Sequence, residues 1–164
     1  YQSTNCVDDQ PRGESQPSCP CGLPQLHPDT KWHPSELLLL AAHVNEFAAA
    51  LDLVEPELQQ RVQLSWPGHV TWVLPNPGYN DLVTGGRNTV ACRVPDHEQA
   101  RQLADSFGGP IVSTSLNRAG QSPILNYADA CAEFGAEVDL VLAGETAGAL
   151  GPSKIVQADG KMLR

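Results

Sequence analysis

The sequence predicts an α/β domain in which helices flank a twisted, mixed β-sheet with one concave face. Two observations predict it: short apolar runs with the period of a strand recur along the chain, and the segments between them carry apolar residues at helical spacing. At 164 residues the chain can bury a sizeable core as one domain. It has no run of about 18 apolar residues, so neither a membrane-spanning helix nor a membrane partner is predicted.

Strands are predicted where short apolar runs stand between turn residues. Val70, Trp72 and Leu74 alternate with the residues between them, which is typical of a half-buried strand. Leucines 37 to 40 form an unbroken run that fits a buried strand. The predicted strands are 37–40, 70–74, 89–94, 110–115, 138–142 and two last short ones at 155–156 and 162–163.

Helices are predicted where apolar residues recur every three to four positions between helix breakers. Pro56 fits the first turn of one helix, and Asp96 is expected to cap another. Leu103 and Phe107 are expected on the buried face of that helix. Residues 80–87 are polar and glycine-rich and predict a surface loop. The predicted helices are 43–51, 56–66, 96–107 and 126–134.

The net charge is −9, which argues against a broad nucleic-acid-binding surface and leaves room only for a local basic cleft. The five cysteines are an odd number and are widely spread. Cys92 falls in a strand pattern and Cys131 in a helix pattern, so both are expected to be buried, reduced thiols. Reduced thiols fit a cytoplasmic location.

Residues 1–34 differ from the rest and are predicted to be an irregular segment that packs poorly, before a domain at 35–164. They hold six of the 14 prolines and three of the five cysteines. The spacing of Cys19 and Cys21 is not that of a zinc knuckle or ribbon, so no metal site is predicted. The chain starts at Tyr1 rather than Met, which is interpreted as a fragment, a processed product or an incomplete reading frame.

Three hydroxyls and an amide are bunched in residues 113–117, directly after the apolar run 110–112. In open α/β sheets, ligands bind at strand ends of this kind. Small hydroxyl residues there let the backbone approach a phosphate closely and donate hydrogen bonds to it. The alternative is an ordinary polar transition from strand to loop.

Five blocks of the chain, in this order and spacing, resemble the YrdC/TsaC family of threonylcarbamoyl-AMP synthases. That family shows W-P-G-P-x-T, V-A-V-R-x-P-x-H, S-T-S-A-N, a strand like V-D-L-V-L, and P/E-S-T/x-I. The resemblance covers about residues 37 to 164, and five ordered blocks are a stronger signal than any one of them. The matching blocks here are Trp66–Leu74, Thr89–His97, Ser113–Asn117, Val138–Leu142 and Pro152–Val156.

The resemblance implies a single YrdC-like domain that joins L-threonine, bicarbonate and ATP into threonylcarbamoyl-adenylate and pyrophosphate. The adenylate would serve tRNA modification, with Mg²⁺ accompanying ATP. The expected partners are other tRNA threonylcarbamoylation proteins, with tRNA as a further candidate. No catalytic side chain is assigned, because such a reaction depends on positioning and electrostatics.

The resemblance also implies the ligand-binding residues. Arg93 matches the arginine expected to bind the threonine carboxylate, and Ser115 and Asn117 match a pair expected to contact the nucleotide. His69, which replaces the second proline of W-P-G-P, is expected to be structural. The complete predicted set is Lys31, Thr89, Arg93, Ser113, Ser115, Asn117, Ser153 and Arg164.

Before residue 35 the chain departs from the family pattern. The Y-P-T-E block is missing, and in place of K-x-R-P the chain has Lys31-Trp32-His33-Pro34. Two alternatives therefore stay open: a non-catalytic module that binds nucleotide or double-stranded RNA, and an inactive copy with a disrupted or frame-shifted start. For the enzyme, weak ATP binding and poor turnover are expected.

Overall fold

The computed structural model describes residues 37–146, 148–149 and 151–163. Their strands form one mixed sheet in the order β4-β1-β3-β2-β5. β1 is parallel to β3 and β2 is parallel to β5, whereas β1–β4 and β2–β3 are antiparallel pairs. The predicted α/β class with a mixed sheet is confirmed. The strands are β1 Leu38–Leu40, β2 Val70–Pro75, β3 Thr89–Arg93, β4 Ile111–Ser113 and β5 Lys154–Gln157.

The described helices flank this sheet and begin at the local signals that favour them. Pro56 occupies the first turn of its helix, as predicted, where its missing N–H costs nothing. Asn126 caps the last helix, with its Oδ1 accepting a hydrogen bond from the Asp129 N–H at 2.9 Å. A 3₁₀ turn at Val44–Phe47 leads into the first α-helix. The α-helices are α1 Ala48–Leu51, α2 Pro56–Ser65, α3 Asp81–Thr84, α4 Glu98–Phe107 and α5 Tyr127–Phe134.

One face of the sheet, which we call the packed face, carries the main core. The register aligns Leu39, Cys92 and Trp72, and extends the row to Val156 on β5. Phe47 and Trp66 lie against this face, with ring centroids 5.6 Å apart. Each large side chain buried here stabilises the fold by about 1.5–3 kcal/mol.

The opposite face, which we call the open face, carries the alternate residues of the same strands. The helix α4 covers its β1–β4 side, where Ala104 packs with Leu40 and Ala42. Farther along the sheet, Val73 on β2 and Ala91 on β3 stay half-buried. The open face therefore keeps solvent-accessible sheet surface beside α4, as a ligand site requires.

The strand predicted at 138–142 is wrong: these residues form no strand, and Leu140 is 71% exposed. The next residues are held by side chains at the start of α4, since Gln99 Nε2 donates to the Ala143 carbonyl at 2.8 Å. A strand needs a backbone ladder. Among the described residues β4 pairs only with β1, and residues 138–142 make no ladder with its unpaired outer edge.

Several other boundaries differ from the sequence prediction. β4 ends at Ser113, so the strand predicted to reach residue 115 is shorter. The cap of α4 is His97 rather than Asp96, because the His97 ring accepts from the Ala100 N–H at 3.2 Å. The loop predicted at 80–87 contains the short helix α3, which Asn80 caps.

The predicted apolar stripe of α4 is wrong at two positions. Leu103 is 47% exposed and Phe107 is 73% exposed, whereas Ala104 is fully buried. The reason is that α4 contacts the sheet through small residues, its alanines. Small residues let a helix approach a sheet closely, and its larger neighbours then point past the edge of the contact.

Of the two last strands predicted, the first is confirmed as β5, whereas residues 162–163 form a single bridge and no strand; the buried thiol Cys92 agrees with the sequence. Met162 forms a bridge to Val156, and Gly160 supplies the positive φ of the turn at 84°. Cys92 is fully buried, which raises the pKa of its thiol to about 12. Cys131 is only half-buried. Within the described residues, none of the helices has the length and apolar character to cross a membrane.

Candidate functional site

Arg93 ends β3 on the open face and is held by the turn before β2. Its Nε donates to the Gly68 carbonyl at 3.0 Å, and its Nη2 lies 3.0 Å from His69 Nδ1. Burial lowers the pKa of the guanidinium, because a charged group loses solvation there, but an arginine remains cationic at neutral pH. A guanidinium has five N–H donors, so three remain for a ligand after these two bonds.

The turn that holds Arg93 is itself fixed from both sides. The Gly68 N–H donates to the Val94 carbonyl at 2.9 Å, and Trp66 Nε1 donates to the Val70 carbonyl at 2.8 Å. A Cβ at Gly68 would lie 2.2 Å from the Ser65 carbonyl oxygen. Only glycine fits this approach, so the acceptor for Arg93 stands at a defined place.

Thr71 and Ser153 form a buried hydroxyl pair between β2 and the start of β5. Their oxygens are 2.8 Å apart, and both residues are less than a tenth exposed. Ser153 was among the predicted residues. Thr71 was missed, although it matches the threonine of W-P-G-P-x-T, which was the available signal.

The register places four predicted residues, from β3, β4 and the start of β5, on the open face. Leu40 aligns with Arg93, and Leu38 aligns with Ser113. Residues two apart share a face. Thr89 therefore points to the same side as Arg93, and the bond to Thr71, which aligns with Ile155, places Ser153 there too.

Ser115 and Asn117 lie in the loop after β4, outside the regular sheet. Asn117 Nδ2 donates to two carbonyls of its own loop, those of Arg118 at 3.0 Å and Gln121 at 3.2 Å. The amide donors thus shape the loop, and the side-chain oxygen is what Asn117 could offer a ligand. Ser115, two residues earlier in the same loop, is exposed.

Arg118 fastens that loop to α5. Its guanidinium donates to Glu133 Oε1 at 3.0 Å, pairs with Glu137, and lies 4.5 Å from the centroid of the Phe134 ring. Hydrogen bonds raise the pKa of Arg118, the bond to Glu137 more than the bond to Glu133. The loop that carries the predicted nucleotide contacts is thereby tied to a helix.

A separate groove of about 240 Å³ lies between the loop after β4, α5 and residues 141–146. None of the predicted site residues that the structure describes lines it. Its described lining holds neither Arg nor Lys, so these residues offer no fixed cation for a carboxylate or a phosphate. The open face has such a cation in Arg93, and we therefore place the candidate site there.

The described residues do not fit a protein-bound Mg²⁺. They bring together no group of three His, Cys, Asp or Glu side chains that could hold a metal ion. Lys31, Arg164 and the irregular segment at 1–34 lie outside the described residues.

An open sheet face with a half-buried arginine and hydroxyls at the strand ends defines an α/β protein suited to small anionic ligands. Comparison with known proteins is more specific. The chain belongs to the Sua5/YciO/YrdC family, because the model of that family, described as Telomere recombination, matches residues 31–164. The predicted resemblance is confirmed.

Two curated relatives of the chain are both named threonylcarbamoyl-AMP synthase. The chain is similar to the Threonylcarbamoyl-AMP synthase of Hahella chejuensis, with 38% identity over 78% of this chain and 71% of the relative. The synthase of Serratia proteamaculans is 42% identical over 73% of this chain and 64% of that protein. The chain thus spans about two thirds of the length of these relatives, whose name favours an enzyme over a non-catalytic module.

A solved structure supports the fold. The crystal structure of P. abyssi Sua5 complexed with L-threonine matches with a TM-score of 0.67 and 26% identity. The match covers 76% of this chain and 37% of that chain.

Proposed function

We propose that this chain is a threonylcarbamoyl-AMP synthase, which forms threonylcarbamoyl-adenylate from L-threonine, bicarbonate and ATP. The name of the curated relatives supports the activity. The assignment of a threonine site to particular residues rests on Arg93. Its half-buried guanidinium lies on the open face, is held by two hydrogen bonds and keeps N–H donors for a carboxylate.

The reaction depends mainly on holding threonine and ATP in the correct positions. The threonine amine and bicarbonate lose water to form a carbamate, whose oxygen then attacks the α-phosphorus of ATP as pyrophosphate leaves. We assign the threonine carboxylate to Arg93, the phosphates to the Ser115 hydroxyl and neighbouring backbone N–H groups, and a hydrogen-bond donor of the nucleotide to the Asn117 side-chain oxygen. Holding both reactants on one face converts their encounter into an intramolecular step.

The finer assignments rest on the family pattern. Lys31 and Arg164 would contact the ATP phosphates, while Thr89, Ser113 and Ser153 would line the site. Mg²⁺ would arrive with the triphosphate, since the described residues supply no ligand group for it. The synthase domain would occupy 35–164, and the protein would work in the cytoplasm with other proteins of tRNA threonylcarbamoylation and with tRNA.

The test measures threonine and ATP binding separately in a variant without the guanidinium. Arg93→Ala should raise the Kd for L-threonine about 10- to 100-fold, because a charge-assisted hydrogen bond is lost, and should change the Kd for ATP about twofold or less. Arg61→Ala is the matched control, because that guanidinium lies 5.7 Å from the centroid of the Trp72 ring, away from the open face. Equal losses for threonine and ATP would contradict the assignment.

A second test concerns turnover, followed as pyrophosphate release with threonine, bicarbonate and ATP. We expect slow turnover, because His33 stands where the family pattern K-x-R-P has arginine and a neutral imidazole cannot replace a permanent cation. Losing one such contact costs about 10²–10³-fold in rate. His33→Arg, or replacing the first 36 residues by a family-like segment, should therefore raise the rate. Full turnover by the unaltered chain would contradict this expectation.

A further inference from the structure

We propose that His69 is a positioning residue that orients Arg93 for the threonine carboxylate through a neutral imidazole protonated on Nε2. This inference rests on the proposed function. Arg93 Nη2 can only donate a hydrogen bond, and it lies 3.0 Å from His69 Nδ1. Nδ1 must therefore be the unprotonated acceptor.

The other ring nitrogen makes the assignment consistent. His69 Nε2 lies 2.9 Å from the Gly151 carbonyl oxygen, which can only accept. A ring that accepts at Nδ1 and donates at Nε2 satisfies both contacts with one tautomer. Both contacts therefore require the same neutral tautomer of His69, with the proton on Nε2.

These contacts join segments that are distant in the sequence. His69 follows the turn glycine that also holds Arg93, and Gly151 lies two residues before Ser153 of the buried hydroxyl pair. The imidazole thus connects the end of β3, the start of β2 and the approach to β5. A displacement of any of them would move the guanidinium.

His69 occupies the position of the second proline in W-P-G-P. A proline side chain has neither a donor nor an acceptor, so it could not form this link. The connection is therefore a property of this chain's own residue. Its expected benefit is that Arg93 is already ordered before threonine binds, so less conformational entropy is lost on binding.

Two conservative variants separate the two ring nitrogens. In His69→Asn the side-chain oxygen can take the place of Nδ1 and accept from Arg93, but the donor to Gly151 is lost. In His69→Gln the amide nitrogen can take the place of Nε2, and the acceptor near Arg93 is lost. We expect His69→Gln to raise the Kd for L-threonine about three- to tenfold in titration calorimetry, with the Kd for ATP unchanged, and His69→Asn to bind threonine nearly as the wild type does.

A double-mutant comparison tests whether the effect passes through Arg93. In an Arg93→Ala background, His69→Gln should cause no further loss of threonine affinity. An independent loss there, a threonine Kd for His69→Gln equal to wild type, or a greater loss for His69→Asn than for His69→Gln would overturn the proposal. If His69→Asn fails to fold, the threonine Kd of His69→Gln decides alone; if His69→Gln fails to fold, His69→Ala, which also lacks the acceptor for Arg93, takes its place with the same expected rise in Kd.

The same measurements distinguish this proposal from the proposed function. If Arg93→Ala weakens threonine binding and His69→Gln does not, only the role of His69 fails. If the wild-type chain binds neither threonine nor ATP, the proposed function itself fails. Thermal unfolding of each variant shows whether a change in affinity is accompanied by a loss of fold.

Discussion

The two faces of the sheet use the same strands for opposite purposes. On β3, Cys92 is fully buried in the aromatic and aliphatic core, whereas Arg93, the next residue, lies on the open face and offers hydrogen-bond donors. On β2, Trp72 packs into the core while Thr71 bonds to Ser153. Because strand side chains alternate, stability and ligand binding are assigned to neighbouring residues and can be changed separately.

The largest effect on stability is expected from a substitution on the packed face. Trp72→Ala should lower the free energy of unfolding by about 3–5 kcal/mol, because it leaves a cavity and removes the bond from Trp72 Nε1 to Ser65 Oγ at 2.8 Å. Urea denaturation measures the change. The matched control is Val73→Ala, the next residue on the open face, where a loss of about 1 kcal/mol or less is expected. Equal losses at both positions would remove the distinction between the faces.

A smaller effect is expected at the turn that serves both faces. Gly68→Ala places a Cβ against the Ser65 carbonyl, so the turn must shift, at a cost of about 1–3 kcal/mol in unfolding free energy. Because the Gly68 carbonyl accepts from Arg93, threonine affinity should fall as well. Gly109→Ala is the control, since a Cβ there meets no atom within 4 Å. A Gly68→Ala protein with unchanged stability and affinity would contradict this account of the turn.

An effect that is absent at neutral pH concerns the buried thiol. The pKa of Cys92 is about 12 in the folded chain, against an ordinary value of about 8.5 when unfolded. A raised folded pKa means that the contribution to stability is complete below the unfolded pKa. It is then lost as the pH rises toward 12, at no more than about 1.4 kcal/mol per pH unit.

The measurement is the difference in unfolding free energy between the wild type and Cys92→Ala from about pH 8 to pH 11. The wild type should lose stability relative to the variant as the pH rises. Cys131→Ala, at the half-buried helical cysteine, provides the comparison. Parallel pH profiles for the wild type and Cys92→Ala would show that the thiol has the same pKa in the folded and unfolded states, which would contradict the effect of burial.

Much of the open face could be predicted from local patterns. Strand alternation and the family motifs identified Arg93, Ser113 and Ser153, and the register places all three on one face. The pattern at 138–142 misled, because alternation shows that a segment could be a strand but not whether another strand pairs with it.

The link at His69 could not be predicted for a related reason. Its ring contacts Arg93, 24 residues away, and Gly151, 82 residues away. Only the pairing of β2 with both β3 and β5 brings those segments together. A histidine in place of a motif proline indicates nothing about its partners until that topology is known.

The neutral partner of Arg93 has an electrostatic consequence. Among the described ion pairs none involves Arg93, so its positive charge remains uncompensated in a chain whose net charge is −9. At physiological ionic strength the Debye length is about 8 Å, so an approaching anion meets the attraction of this arginine only near contact. At low salt the repulsion by the whole chain reaches farther and opposes the approach of a polyanion such as ATP, whereas zwitterionic threonine hardly responds to it. Added salt should therefore speed the arrival of ATP, one of the proposed substrates, and leave that of threonine, the other, unchanged.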